Sequence, residues 1–291
     1  MAGIQSEALI AVEWLLLGIA LVLILARLNL RINHLKAGFV LGDVFILAAF
    51  AAAVSLNAVD ITLYHRGIYE ADIDFKMTTW VATEEESTIV YRTLYYLYFP
   101  FYLEQYFNKG TLIALYYEVF GGGSRKIKVS LAALTFYCIS GFITTICIIL
   151  FLCEWGCYWS YDNPCPQRCW KVSDNLGWAF HFSSDIFIFI LPLVCISKLN
   201  MTKAQKISAS ITFCIGFINI SITFARWLVV QAVFTSVPAL NTGQAMAIAD
   251  GHIGLIVSIL PSLRPYLRIW SKKRQDAKSS RSTTESDYST K

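Results

Sequence analysis

The chain has 291 residues, of which 56% are hydrophobic and only 15% charged, with a formal net charge of +4. A soluble domain keeps about 25% charged residues to hydrate its surface, so this composition and a mean hydropathy of +0.54 exclude a soluble globule. The positive balance does not point to nucleic acid either, because the basic residues cluster beside apolar runs, where anionic lipid attracts them at about 1 kcal/mol each.

A bilayer crossing needs roughly 20 mostly apolar residues. Windows of that kind fall at about 8–26, 38–59, 93–117, 129–152, 176–196, 207–230 and 244–263. The expected fold class is therefore an all-α membrane protein, a seven-transmembrane helix bundle over residues 1–270, followed by a disordered cytoplasmic tail over 271–291. The first run follows Glu7 rather than a basic segment, and Arg27, Arg31 and Lys36 come after it instead of a cleavage site. It reads as a signal-anchor helix, not a removable leader. Asp43 stands near the start of the second span, where interfacial water or a basic loop residue can meet it.

The loop over 60–92 is acid-rich, with Glu70, Asp72, Asp74, Glu84, Glu85 and Glu86. Span three is the weakest on hydropathy, since it holds Pro100, Glu104, Asn108 and Lys109. Loop charge decides in its favour. Arg125, Lys126 and Lys128 follow span three, Lys198, Lys203 and Lys206 follow span five, and Arg264, Arg268, Lys272, Lys273 and Arg274 open the tail. Short basic loops stay cytoplasmic. Seven spans place every basic loop on one side, with the N-terminus outside and the C-terminus inside; six cannot.

Cys138, Cys147, Cys195 and Cys214 lie within spans, where a thiol is a small apolar filler. Cys153, Cys157, Cys165 and Cys169 crowd the fourth loop, placed outside. An oxidising compartment favours disulfides there, with three pairings open. A zinc site at this C-x3-C…C-x3-C spacing is the lesser reading, and no metal is assigned. Trp155, Trp159, Trp170 and Trp178 flank the loop as an interfacial aromatic belt would. Two glycosylation sequons, at Asn200 and Asn219, fall on the cytoplasmic side and inside a span, and are expected to go unused.

Ionisable side chains inside spans cost several kcal/mol unless paired or hydrated, so each marks a site. His181, Asp185, Arg226, Asp250 and His252 fall in the outer half or near the midplane, with Glu104 at similar depth. His181 and Asp185 share a helix face. One reading is an internal ion-pair network, Arg226 pairing with Asp185 or Asp250. The other is an outward-facing polar pocket between spans three, five, six and seven that binds a small ligand. Lys109 can snorkel inward or pair with Glu104, although a spacing of five residues is poor for one helix. No H-E-x-x-H or similar ligand spacing points to metal catalysis. Span seven contains no lysine, so a Schiff-base retinal protein is excluded and no cofactor is expected. The tail is polar and aperiodic, and phosphorylation at Ser279, Ser280, Ser282, Thr283 or Thr284 would change its charge.

Taken in order, these features resemble the fungal rhodopsin-domain integral membrane family, which includes the PTH-type receptor-like proteins of filamentous ascomycetes. The similarity spans roughly 26–268. It begins with Arg27 and Arg31 leading into Leu41-Gly42-Asp43. It continues with Lys109-Gly-Thr-Leu-Ile-Ala-Leu-Tyr-Tyr-Glu-Val-Phe120, the Cys/Trp-bearing fourth loop, Asn175 and Asp185, and Ala225-Arg226. Asp250 follows, ahead of Pro261-Ser-Leu-Arg-Pro265. Glu118 stands where the family pattern has an arginine, Val44 where it has a second aspartate, and Asp250 where it has a glutamate. The resemblance implies a seven-helix bundle that senses an extracellular or membrane-borne ligand. The expected partners are the lipid bilayer, a small-molecule ligand and a cytoplasmic signalling protein, with no nucleic acid, and the plasma membrane is preferred over internal membranes. A transporter or channel is the alternative, and an intramembrane enzyme acting on a lipid or secondary metabolite is third.

Overall fold

The computed structural model describes residues 5–34, 38–70, 72–74, 77, 80–154, 156–159, 167–196, 203–232 and 239–263. Seven α-helices carry most of them: α1 Ser6–Asn29, α2 Leu41–His65, α3 Glu84–Phe120, α4 Arg125–Phe151, α5 Gln167–Ile196, α6 Lys203–Ala232 and α7 Leu240–Ile259. A π-helical turn, Leu30–His34, prolongs α1, and a 3-10 turn, Leu260–Leu263, ends α7. Among the described residues no strand forms; Asp74 and Ala239 make one isolated bridge. Cys165, Lys198 and the tail over 271–291 lie outside the described residues.

In lipid every backbone N–H and C=O must be satisfied within the segment, which makes a helix the default for an apolar run. Among the described residues four helical segments are long and apolar enough to cross a membrane: Ser6–Asn33, Leu41–His65, Arg125–Phe151 and Leu240–Leu263. They turn large apolar side chains outward, among them Leu15, Val22 and Leu25 on α1 and Phe136, Ile139 and Phe151 on α4. A surface of that kind is unfavourable in water and favourable against acyl chains.

Helix α3 falls short on hydropathy for a physical reason. It runs through the middle of the bundle, packing against α2, α4, α5 and α7. Glu104, Gln105, Asn108, Lys109 and Thr111 are all buried between helices. A hydropathy window treats each residue as if it faced lipid, so it penalises a helix whose polar face meets protein. Its start is set by a capping box in which Thr83 accepts from the Glu86 N–H and Glu86 reaches back to the Thr83 N–H at 3.1 Å. Those hydrogen bonds hold the exposed Glu86 carboxyl below its ordinary pKa. The chain thus enters α3 at Glu84, before the expected span.

Helices α5 and α6 are joined unevenly. Toward the end of the bundle where α1 starts (the Ser6 end), Trp178 stacks on Trp227 at 4.6 Å and on Phe182 at 4.8 Å. Asn175 there accepts from Trp227 at 3.0 Å and from Gln231 at 2.7 Å. Toward the opposite, Phe120 end, Pro192 interrupts the α5 ladder and deprives the Ile188 carbonyl of its donor. The Tyr116 hydroxyl of α3 takes that place, donating to Ile188 O at 3.1 Å. One end of the α5–α6 pair is zipped, while the other is held through α3.

Candidate functional site

The intramembrane charges form one connected chain across four helices. On α3, Lys109 donates to Asp185 of α5 and, at 3.2 Å, to the His181 carbonyl. His181, one turn before Asp185, places Nε2 3.6 Å from Asp185 Oδ2 and 3.2 Å from Asp250 Oδ2 of α7. Asp250 also accepts from Arg226 Nε at 3.1 Å and from the Thr223 hydroxyl at 2.5 Å, both on α6. The Arg226 guanidinium lies over the Phe101 ring of α3 at 5.1 Å, a cation–π contact that returns the chain to α3.

Each basic side chain at the two ends of the chain meets a carboxylate, and a histidine lies between the carboxylates. Pairing is required, because desolvating an unpaired ion in this setting costs several kcal/mol. Asp250 is the hub, completely buried and touching three side chains from two helices. Arg226 thus pairs with Asp250, one of its two expected partners. Lys109 pairs with Asp185 rather than with Glu104.

Glu104 belongs to a second set. Its Oε1 lies 3.2 Å from His252 Nδ1, at ion-pair distance but without good hydrogen-bond geometry. His252 Nε2 faces Asn57 Oδ1 of α2 at 3.0 Å. Gly251 allows this arrangement, since a Cβ there would fall 2.7 Å from Glu104 Oε2. Farther toward the Ser6 end, Asp60 of α2 accepts from Tyr69 at 2.5 Å and from Gln244 of α7 at 2.9 and 3.0 Å. Glu13 of α1 is fully buried, with no hydrogen bond to either carboxylate oxygen.

Sequence reasoning missed Glu13, Asp60 and Asn57. Glu13 is a lone charge inside the first apolar window and Asp60 stands just beyond the second, whereas Asn57 carries no charge to draw notice. A third set closes the Phe120 end. Asp43 accepts from Arg27 at 2.9 Å, lies 3.5 Å from Arg31 and caps the Val40 N–H at 3.1 Å. Arg31 reaches on to Glu118 at 2.8 Å. Glu118, which departs from the family pattern, is thereby a partner for the first basic loop.

The expected opening toward the Ser6 end is covered among the described residues. Ile68, Tyr69, Ile73 and Met77 of the loop after α2 join the core there. From the fourth loop, Tyr158 packs on Tyr95 at 4.7 Å, and Arg92 sits over Trp159 at 5.8 Å. In the same loop Cys153 and Cys169 are free thiols in hydrogen-bonding contact. Cys157 does not stand free, and its partner is not among the described side chains. No group of three or more His, Cys, Asp or Glu side chains is arranged to hold a metal among the described residues.

The cleft that the structure does show lies on the other side of Asp185, between α3, α5, α6 and α7 toward the Phe120 end. It holds a cavity of about 130 Å³ that is partly open to the surroundings. Asp185 and Asn219 sit among its lining residues, with Tyr116, Phe120, Pro192 and Pro261 along its length.

Apolar outward faces around buried, paired charge define an integral membrane protein built as a helical bundle. Over residues 26–269 the sequence matches the family model described as Fungal rhodopsin domain, and the chain belongs to that family. Comparison with curated proteins and with solved structures found no match.

Proposed function

We propose that this chain is a receptor-like seven-transmembrane protein of the plasma membrane, crossing seven times with its N-terminus outside and its C-terminus in the cytoplasm. A ligand shifts helix packing, and the basic loops at the Phe120 end pass the change to a cytoplasmic signalling protein. The observation that supports this reading is the charge chain Lys109–Asp185–His181–Asp250–Arg226. It ties four helices together between a zipped Ser6 end and an open cleft at the Phe120 end, which is how a two-state element can couple the two faces. Cysteine pairing in the fourth loop would fix the covered outer face.

Signalling output from surface-localised protein tests the proposal. Asp250→Asn weakens the hub and is expected to raise ligand-independent output several-fold, with G-protein coupling as the readout. Unchanged output from that variant and no response to any ligand in a broad panel would count against it. Solute flux in proteoliposomes that fails in Asp185→Asn and Asp250→Asn would favour a transporter instead.

A further inference from the structure

The cleft at the Phe120 end has a chemistry of its own. Its walls are apolar: Leu112, Leu115 and Tyr116 from α3, Ile188 and Phe189 from α5, and Ile220 from α6. Its deep end is polar and oxygen-rich. Asp185 lines it, with Oδ1 engaged by Lys109 but no hydrogen bond to Oδ2. Asn219 lines it as well, and its Oδ1 has no hydrogen-bond partner. No lysine, arginine or histidine is among the described lining residues.

Ligand sites are concave, mostly apolar pockets with a few placed polar groups that fix orientation. Here the unpartnered atoms, Asp185 Oδ2 and Asn219 Oδ1, are acceptors. A donor head therefore gains a hydrogen bond, whereas a carboxylate head meets Asp185 and is repelled. The mostly apolar lining suits the chain of an amphiphile, and among the described residues the cleft is only partly enclosed. Gly216 on α6 offers no side chain where Phe189 passes, and a Cβ there would lie 3.3 Å from the Phe189 ring. Phe187 and Phe217, just beyond, are exposed toward the bilayer.

We infer that this cleft binds a membrane-borne amphiphile with an apolar chain and a hydrogen-bond-donating head, an alcohol or an amine, seated with the head at Asp185 and Asn219. The head then competes with Lys109 and His181 for Asp185, which couples occupancy to the charge chain. This inference rests on the receptor reading for its consequence but not for its binding chemistry.

The test uses the full-length chain in lipid nanodiscs and a dodecanol carrying a photoreactive diazirine. Labelling is expected on the cleft walls, at Leu115, Phe189 or Ile220. Dodecanol and dodecylamine are expected to compete about tenfold better than dodecane or dodecanoate, the factor that one buried hydrogen bond supplies. Ile220→Trp, which fills the cleft, is expected to lower labelling by a similar factor. The head-group series on the unaltered chain decides the matter should that variant not fold. Labelling spread over lipid-facing Phe187 and Phe217, or equal competition by dodecanoate, would overturn the inference. Specific labelling without any signalling response would leave the site standing and remove the receptor reading.

Discussion

Asp250→Ala is expected to lower the unfolding free energy of the bundle by about 3–5 kcal/mol, the range for removing one partner of a buried ion pair. Asp250 is fully buried and holds Arg226, His181 and the Thr223 hydroxyl. Its loss leaves a guanidinium without its hydrogen-bonded carboxylate, over the Phe101 ring and with an Nη2 that already has no hydrogen bond. Asp250→Asn keeps one acceptor oxygen, for Thr223 or for Arg226 but not for both, and is expected to cost about 1–2 kcal/mol, the scale of interhelical hydrogen bonds in membranes. Reversible unfolding in mixed micelles checks both. The same experiment tests whether the chain is continuous. Lys109 does not touch Asp250, so additive losses for Lys109→Ala and Asp250→Ala would show independent pairs. Coupling above about 0.5 kcal/mol would show a network.

The second large effect lies at the Phe120 end. Asp43→Ala removes at once the partner of Arg27, a near partner of Arg31 and the cap on the first turn of α2. Arg27 is 2% exposed, so its charge is left with little water to replace the carboxylate. A loss of about 3 kcal/mol is expected, combining the orphaned buried charge with a missing cap of about 1 kcal/mol. Glu118→Ala, by contrast, removes a partner whose side chain is 38% exposed, and an exposed pair is worth about 1 kcal/mol or less. Equal losses for the two variants, read from the same unfolding measurement, would contradict this ranking.

The positions of the charges along the chain were legible in the sequence, and most of their partners were not. Apolar windows locate seven helices, α3 among them despite its low hydropathy. That low value is informative, because Glu104, Asn108 and Lys109 are polar where α3 meets protein rather than lipid. Helical spacing also relates residues on the same helix, as with His181 and Asp185. It does not fix the rotation of one helix against another. This is why Lys109 turns to Asp185, and Glu104 to His252. The direction of the open space was equally hidden. Polar residues suggested a pocket toward the Ser6 end, but loop residues such as Tyr69, Ile73 and Tyr158 cover that end. Pro192 and Gly216 both line the cleft, and neither marks a cavity by itself.

In the proposed receptor, the charge chain holds one packing of α3 against α6. The distance between spin labels at Tyr117 of α3 and Phe217 of α6, both exposed, measures that packing in lipid nanodiscs. The labels are attached through unnatural amino acids because the native thiols of Cys147 and Cys214 are exposed. A single narrow distance in the unaltered chain, shifted by several ångströms or split into two populations in Asp250→Asn, is the result expected. The same narrow distance in both proteins would contradict the claim.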